Sequence, residues 1–217
     1  MLSVMRHVAA LVLPPLCVGC RVVLPATEGV GVCHNCWKTL PFWRKGQPPM
    51  PQLPPMVHGF AAPFLYEGKI QEWVTALKFN DRLDLAPVLG EFMVPMVPKM
   101  AQLLVPVPMF AGRLRVRKFN QAAELTKVVS RKTAVPWSHN ALLRVADTKN
   151  QVGKTRQQRL QLPLNAFKAD GAQVQGKHVV LIDDIWTTGT TARVCATVLR
   201  KAGAKHVDVV TVAYVEA

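Results

Sequence analysis

The chain has 217 residues, 50% of them apolar, which is enough to bury one substantial core plus a small satellite and excludes a disordered polypeptide. Lysine and arginine number 27 against 13 acidic residues, so the net charge is +14 and the pI is near 10.0. This charge predicts attraction to polyanions, either nucleic acid or a highly phosphorylated small ligand. Composition alone does not choose between the two.

The first residues predict a short helix over Met1–Leu13 whose apolar side packs on the rest of the protein. The apolar segment Val8–Leu16 is too short to span a bilayer and contains two prolines. It has features of a weak signal peptide, since Arg6 precedes it, but no small-residue cleavage site follows. We therefore expect a cytoplasmic protein without a transmembrane segment, in which thiols stay reduced.

Four of the five cysteines form two CxxC pairs with twelve residues between them. Each pair places two thiolates on one tight turn, and two turns supply the four sulfur ligands of a structural Zn²⁺. No coordination position then stays open for catalysis, so zinc would organise the local fold. His34 is an alternative ligand, and reduced cysteines without metal are the other interpretation. The predicted zinc ligands are Cys17, Cys20, Cys33 and Cys36.

A proline-rich segment follows the cysteines. Residues 41–55 contain six prolines and few residues suited to a core, which predicts an extended linker. It divides the chain into two parts. Residues 1–55 would form the N-terminal helix, the zinc module and the linker, and residues 56–217 the main domain.

Alternating strands and helices are predicted for the first part of the main domain. Residues 59–66 alternate as a strand does, and the next segment has apolar residues at helical spacing. The predicted elements are a strand over 59–66, helices over 70–79, 85–100 and 122–131, a buried strand over 103–107 and a short strand over 142–145. The helix over 85–100 should break near Pro95 and Pro98.

A cluster of cations, Arg113, Arg115, Arg117 and Lys118, lies in a predicted loop between the strand over 103–107 and a helix that begins near Asn120. In a parallel sheet this loop would lie at the carboxyl edge, where open α/β sheets bind ligands. Guanidinium and ammonium groups there can neutralise a pyrophosphate. The alternative is an ordinary solvated basic face.

Residues 147–167 are polar and basic and include Lys149, Lys154, Arg156 and Arg159. A mobile flap that closes over a phosphorylated substrate is one interpretation, and a surface helix from about Lys154 is the other. The final predicted strand covers residues 207–214.

The most informative sequence is VVLIDDIWTTGTT, residues 179–191. Its first four residues predict a buried parallel strand, with Asp183 and Asp184 where that strand should end. A threonine-rich turn around Gly189 then leads into a helix in which Cys195 and Leu199 fall on the apolar side, before a stop at Gly203.

This strand, loop and helix suit a ribose phosphate. The first amides of the helix have no intrahelical partner and lie at the positive end of its dipole, and the threonine hydroxyls add further donors. The two carboxylates can accept hydrogen bonds from vicinal hydroxyls or hold Mg²⁺. An acidic turn that merely caps a helix is the alternative.

In order and spacing, these motifs resemble the ComF family of competence-associated proteins, including GntX-like members. The resemblance rests on the CxxC pairs, on Leu77-Lys78-Phe79, on VPVP followed by Phe119-Asn120-Gln121 and Glu124-Leu125, on Gln151, Arg159 and Asn165-Ala166-Phe167, and on IDDIWTTGTT. The last string resembles the phosphoribosyl pyrophosphate (PRPP) loop of type I phosphoribosyltransferases. Lys118 stands where glycine is usual, Trp186 replaces a smaller aliphatic residue, and the region of Arg159 lacks the usual doubled arginine.

The resemblance implies an α/β fold with a central, mostly parallel sheet, helices on both faces and a small N-terminal zinc module. It implies that Asp183 and Asp184 contact the ribose and act at the catalytic centre, with Mg²⁺ accompanying PRPP. Arg113 and Arg117 would lie near the pyrophosphate. The 5′-phosphate would be bound by Thr187, Thr188, Gly189, Thr190 and Thr191.

Two functions remain open from the sequence. The protein is either a PRPP-binding factor in DNA uptake or utilisation, which engages single-stranded DNA or another uptake component, or an active phosphoribosyltransferase with an unknown acceptor. A structural adaptor with a relic site is a third interpretation. Three tryptophans can stack bases or can serve packing, namely Trp37, Trp43 and Trp73.

Overall fold

A parallel β-sheet forms the centre of the computed structural model, which describes residues 15–25, 31–43, 51–146 and 162–216. These residues contain seven strands: β1 (Gly59–Ala61), β2 (Phe64–Leu65), β3 (Leu103–Pro106), β4 (Leu142–Arg144), β5 (Phe167–Ala169), β6 (His178–Trp186) and β7 (His206–Tyr214). The main sheet has the order β1-β7-β6-β3, and β2 follows β1 along the same side of β7. β4 and β5 form a separate antiparallel pair.

Helices surround this sheet. Those in the described residues are α1 (His34–Lys38), α2 (Gly68–Phe79), α3 (Leu85–Met93), α4 (Ala111–Arg117), α5 (Gln121–Thr133), α6 (Gly171–Val174) and α7 (Thr190–Lys201), with 3₁₀ turns at Val94–Met96 and Leu164–Ala166. Within the same residues, no helix combines the length and the apolar character that crossing a bilayer requires.

The sheet buries both of its faces. Leu77 of α2, Leu89 of α3 and Leu125 of α5 share one core with alternate residues of β6. Leu199 of α7 belongs to a second core with the intervening residues of that strand. This is the predicted α/β arrangement, with a parallel sheet between helices, and it is confirmed.

Strand β6 is buried because both of its neighbours and both helical layers cover it. Residues Val179–Ile182 expose none of their surface, which contributes roughly 1.5–3 kcal/mol for each such side chain. Four consecutive apolar residues are what a strand covered on both faces requires. The same two-sided burial extends along β7, where Val207–Tyr214 are all buried.

Most predicted elements agree with the structure in type, one differs in type and two differ in extent. The cationic segment predicted as a loop forms helix α4, because its alanine, leucine and arginines favour a helix strongly enough to include Gly112 near its start. Strand β6 does not end before the two aspartates but continues to Trp186, because β7 pairs with it as far as Tyr214. The predicted strand over 59–66 is interrupted after Ala61.

Two predictions fall on residues outside the description. These are the N-terminal helix over Met1–Leu13 and most of the basic segment, residues 147–161. The proposed division at residue 55 remains a prediction. In the described part, Cys17, Val18 and Cys36 share a core with α2 and α3.

Two of the three tryptophans considered for base stacking serve packing. Trp43 and Trp73 are each 5% exposed. Trp37 is 40% exposed and packs on Phe92, with 5.2 Å between ring centroids.

Candidate functional site

The carboxyl ends of three neighbouring strands meet at one edge of the main sheet, which we call the carboxyl edge. Pro106 of β3 and Val210 of β7 are both in register with Ile182 of β6. The Val107 amide donates a hydrogen bond of 2.9 Å to the Ile182 carbonyl. The chain after β3 therefore leaves the sheet directly beside Asp183.

The two aspartates face opposite sides of the sheet, because successive side chains of a strand alternate. Asp183 lines a small hollow beside the threonine turn, on the side of α7. Asp184 contacts α2 on the other side. The pair is therefore two separate carboxylates with different surroundings, a distinction that the sequence analysis did not make.

Asp183 is the more strongly perturbed of the two acids. Burial first, and then the neighbouring Asp184 carboxylate, raise the pKa of Asp183 to about 8. Its carboxylate accepts a hydrogen bond of 2.9 Å from the Asp184 amide. Burial, with a contribution from the Asp183 charge, raises the pKa of the Cys195 thiol on α7, in keeping with the prediction that Cys195 is a core residue.

Asp184 forms an ion pair with Lys78, the penultimate residue of α2. Lys78 Nζ lies 3.1 Å from Asp184 Oδ1, and the two side chains are 19% and 13% exposed. A partly buried pair of this kind joins the end of α2 to strand β6 at the carboxyl edge. A ligand that uses the Asp184 carboxylate must compete with this ammonium group.

The threonine turn has its shape because of Gly189 and Trp186. Gly189 has φ +69°, and a side chain there would place its Cβ 2.7 Å from the Trp186 ring. Trp186 is 3% exposed and packs on Phe60 with 4.5 Å between ring centroids. The Trp186 ring thus packs directly against Gly189.

Helix α7 begins directly after this glycine and has no side-chain cap. Its first amides therefore point from the helix end without intrahelical partners. Thr188 and Thr190 hydroxyls lie 2.9 Å apart beside them. The adjoining hollow has a volume of about 60 Å³ and is lined by Val107, Asp183, Ile185, Trp186, Thr187–Ala192, Val209 and Thr211.

The cations after β3 lie at the same edge as the aspartates. The Arg117 guanidinium lies over the Phe79 ring, 4.8 Å from its centroid, next in sequence to Lys78. Lys118 Nζ contacts Asp81 Oδ2 at 2.7 Å. The structure thus places Arg117 against Phe79 at the end of α2, whereas Arg113 is placed only within helix α4.

Lys118 shows why glycine is usual at its position. It has φ +64° at the end of α4, a left-handed conformation that costs a residue with a Cβ about 1 kcal/mol more than glycine. Asn120, two residues later, caps the start of helix α5. Its side-chain amide donates to the Val107 carbonyl at 3.1 Å, and its oxygen accepts from the Ala122 amide at 3.0 Å.

The four N-terminal cysteines come together as predicted. Their sulfur atoms all lie within 4.8 Å of one another, and none forms a disulfide. Sulfur ligands about 2.3 Å from a tetrahedral Zn²⁺ are roughly 3.8 Å apart, so the cluster can hold this ion after small adjustments. The Cys20 and Cys33 sulfur atoms are 3.5 Å apart.

The cysteine cluster needs a cation to become fully ionised. Burial disfavours the Cys17 thiolate, but backbone hydrogen bonds, that of Cys33 first, outweigh it and lower the pKa of Cys17 to about 6. Burial and the neighbouring thiols raise the pKa of Cys36 to about 12. Only a bound metal would stabilise four thiolates together.

Lys78 is the site residue whose role sequence reasoning missed. Its position at the end of a helix was noted, but the partner of that helix end was not apparent. The available signal was the Leu77-Lys78-Phe79 string, one of the motifs of the family resemblance.

The order of strands in the parallel sheet and the helices on both of its faces define a phosphoribosyltransferase-type fold, with the aspartates and the threonine turn at its carboxyl edge. Residues 94–217 match the family described as "Phosphoribosyl transferase domain", and the chain belongs to this family. The predicted ComF resemblance is confirmed by relatives with competence names.

Three relatives illustrate this. The chain is 29% identical over 202 residues to "DNA utilization protein YhgH" of Escherichia coli K12, covering 89% of this chain and 82% of that protein. It is 33% identical to "Competence protein F" of Haemophilus influenzae, over 51% of this chain and 49% of the relative. "Competence protein ComFC" of Streptococcus pneumoniae is 29% identical, over 66% and 63%.

Among solved structures, the chain is similar to the "glutamine phosphoribosylpyrophosphate (PRPP) amidotransferase from B. subtilis complexed with ADP and GMP". The TM-score is 0.44 at 22% identity, covering 59% of this chain and 26% of that one. The chain thus matches about a quarter of this larger protein.

The raised pKa of Asp183 predicts a pH-dependent stability. The folded protein keeps a proton that the unfolded chain releases between about pH 4 and pH 8, so the free energy of unfolding should fall as pH rises through this window. Asp183→Asn should remove that fall. Urea unfolding of both proteins between pH 5 and pH 8 measures it, with Glu72→Gln on an exposed face of α2 as control. Parallel stability curves for the wild type and Asp183→Asn would contradict the assignment.

Removal of zinc should destabilise the fold around the cysteines. Cys33→Ser should lower the zinc content by one equivalent, and both this substitution and chelation should lower the melting temperature, by about 2–4 °C for each kcal/mol lost. Elemental analysis and thermal melts provide the measurements. Cys195→Ala is the matched control, since Cys195 is buried on α7 and should leave the zinc content unchanged. Purified protein that lacks zinc yet melts at the same temperature with and without added zinc would refute a structural metal.

Proposed function

We propose that the protein binds PRPP with Mg²⁺ at the carboxyl edge and acts in the utilisation or uptake of DNA. The observation that carries the proposal is the start of α7, where uncapped amides, threonine hydroxyls and the Asp183 carboxylate surround one hollow. Membership of the phosphoribosyl transferase domain family supports the choice of ligand.

The 5′-phosphate belongs at the start of α7. Its negative charge is stabilised by the positive end of the helix dipole and by unpartnered amides. A hollow of about 60 Å³ equals the volume of roughly two water molecules in the liquid, which suits a phosphate group but not the whole ligand. The sugar and the pyrophosphate therefore lie outside it, along the carboxyl edge.

The ribose hydroxyls are bound by the aspartates. Asp183 lines the hollow, and its ionised form accepts hydrogen bonds from the sugar. Asp184 lies across the sheet and exchanges its contact with Lys78 for the ligand or its metal. Mg²⁺ retains several waters and is held largely by the phosphates, so these residues need not form a complete cage for it.

The pyrophosphate lies toward the end of α4. Arg117 provides a guanidinium at this edge, stacked on Phe79, and the exposed Lys118 lies next to it. Arg113 on the same helix is a further proposed contact. Bidentate bonds from arginine to phosphate oxygens would fix the orientation of the group.

Calorimetry with PRPP and Mg²⁺ tests this site. Asp183→Ala and Thr191→Val should each weaken binding about 10- to 100-fold, since each removes a hydrogen-bond partner of a charged or polar ligand group. Glu72→Gln and Thr197→Val are the controls, the latter on the same helix with its hydroxyl bonded to the Arg193 carbonyl. Equal affinity in all five proteins, or no binding by the wild type, would refute the proposal.

Phosphoribosyl transfer is a second candidate function, favoured by the family membership. In that reaction the bond from C1′ to pyrophosphate breaks and a bond from C1′ to an acceptor nitrogen forms. The developing positive charge on the sugar requires electrostatic stabilisation and positioning more than a strong base. Release of pyrophosphate with candidate acceptors distinguishes transfer from binding alone.

The proposed role in DNA utilisation rests on the relatives and on charge. Relatives carry names that refer to DNA utilization and to competence. The net charge of +14 favours backbone phosphates as partners. Arg115 and Arg193 are both exposed, on the helices that begin at the carboxyl edge. We propose single-stranded DNA as the partner and the cytoplasm as the location.

Binding to a labelled single-stranded oligonucleotide should weaken steeply with salt. If Arg115 and Arg193 each neutralise a phosphate, replacing both with Gln should reduce the slope of log affinity against log salt by about 1.4. Fluorescence anisotropy at several salt concentrations measures it. The control replaces Lys168 and Lys201, which are also exposed, and should keep the slope. A flat salt dependence of the wild type counts decisively against DNA binding.

A further inference from the structure

The opposite edge of the sheet carries a cluster of titratable side chains that the PRPP proposal does not use. His178 begins β6 and is in register with His206, the first residue of β7. Asp208 follows His206 by two residues and therefore lies on the same face of β7. The ligand atoms of His178, His206 and Asp208 all lie within 4.8 Å of one another.

The Asp208 carboxylate is buried without a permanent positive partner. Its side chain is 10% exposed, and the described residues place two imidazoles, but no lysine or arginine, within 4.0 Å of it. A buried carboxylate is stabilised by a counter-charge close to its oxygens. A divalent cation bound by the two imidazoles would supply that charge.

The surrounding backbone accommodates this carboxylate closely. Gly59 of β1 lies against it, and a side chain at Gly59 would place its Cβ 2.6 Å from Asp208 Oδ1. His58 stacks on His206 with 4.0 Å between ring centroids and accepts a hydrogen bond of 3.2 Å from the Val207 amide. These contacts orient the His206 ring toward Asp208, as outer contacts do around metal ligands.

The distances suit a metal after a small movement. Ligand atoms about 2.0–2.1 Å from one tetrahedral Zn²⁺ are roughly 3.3 Å apart. His206 Nε2 is 3.5 Å from Asp208 Oδ1, which is close to this value. His178 Nε2 is 2.7 Å from Asp208 Oδ2 and must move away by about 0.6 Å to share a metal with it.

We propose that His178, His206 and Asp208 form a second metal site, for Zn²⁺ or another first-row divalent ion. Two imidazoles and one carboxylate are a ligand set that such ions accept, and they leave at least one coordination position open. That position faces solvent on the side of His206, which is 38% exposed. A hollow of about 620 Å³ adjoins it, lined by Lys99, Met100, Ala101, Gln102, His178, Lys205 and His206.

This site is separate from the carboxyl edge. His178 and Asp183 are five residues apart on one strand, a distance of roughly 16 Å. Metal at the histidines therefore neither requires nor excludes PRPP at the other edge. It also differs from the cysteine cluster in having no sulfur ligand.

Metal stoichiometry of the full chain tests the proposal. Zinc-loaded, desalted protein should contain two equivalents of zinc, and titration of protein containing one equivalent should show uptake of a second. Titration of that protein with Co²⁺ should give absorption without a thiolate charge-transfer band, because nitrogen and oxygen supply the ligands.

Two variants identify the ligands. His206→Asn and the isosteric Asp208→Asn should each weaken uptake of the second ion by more than the roughly 10- to 100-fold that loss of an outer contact causes. His139→Asn, at an exposed histidine outside the cluster, should leave it unchanged. Far-ultraviolet circular dichroism checks that each variant is folded.

Three results would overturn the second site. The first is that wild-type protein binds no second equivalent of zinc once its cysteines hold the first. This result can be obtained without any variant. The second is a second equivalent that both ligand variants retain. The third is cobalt absorption with a thiolate band only, which would place all bound metal at the cysteines.

Discussion

The parallel register of β6 between β3 and β7 determines where each polar group of this protein lies. Because Ile182 is level with Pro106, β3 ends beside Asp183, and β6 and β7 end together at Trp186 and Tyr214. The aspartates, the threonine turn and the cations after β3 therefore lie at one edge of the sheet. Because His178 is level with His206, the histidines meet at the other edge. The apolar residues between them, fully buried on both faces, hold this register, since a shift by one residue would turn every side chain to the opposite face.

The sequence predicted the parts of the site that are local and left out those that depend on distant contacts. The run from Val179 to Thr191 specifies a strand, a turn and a helix by its own periodicity, so its architecture was accessible. The ion pair between Lys78 and Asp184 joins residues over a hundred positions apart, and no local pattern encodes it.

Two errors have instructive causes. The density of charge in the segment after β3 suggests a loop, but the helix propensity of its alanine, leucine and arginines prevails and the segment forms α4. The end of β6 was placed too early because the apolar run ends at Ile182, whereas hydrogen bonding to β7 continues beneath the polar side chains.

The two adjacent aspartates lie in different environments because successive side chains of a strand point to opposite faces of the sheet. Alternation places Asp183 beside a small hollow, where burial raises its pKa, and places Asp184 on the other side of the sheet, where it contacts Lys78. Asp183 would gain its charge when a ligand supplies a partner, whereas Asp184 already has Lys78 as its partner. The two residues of a DD motif in a strand thus lie in two different environments.

Helix α2 connects the cysteines to the aspartates. A side chain at Gly19, inside the first CxxC pair, would place its Cβ 2.9 Å from both the Trp73 ring and the Cys36 sulfur, so Trp73 rests directly on the metal-binding turn. Five residues later on the same helix, Lys78 contacts Asp184. The two contacts are separated by roughly 7.5 Å along the axis of this helix. A tilt of α2 at its contact with the cysteine turn would therefore displace Lys78 from Asp184 and change the electric field at the carboxyl edge.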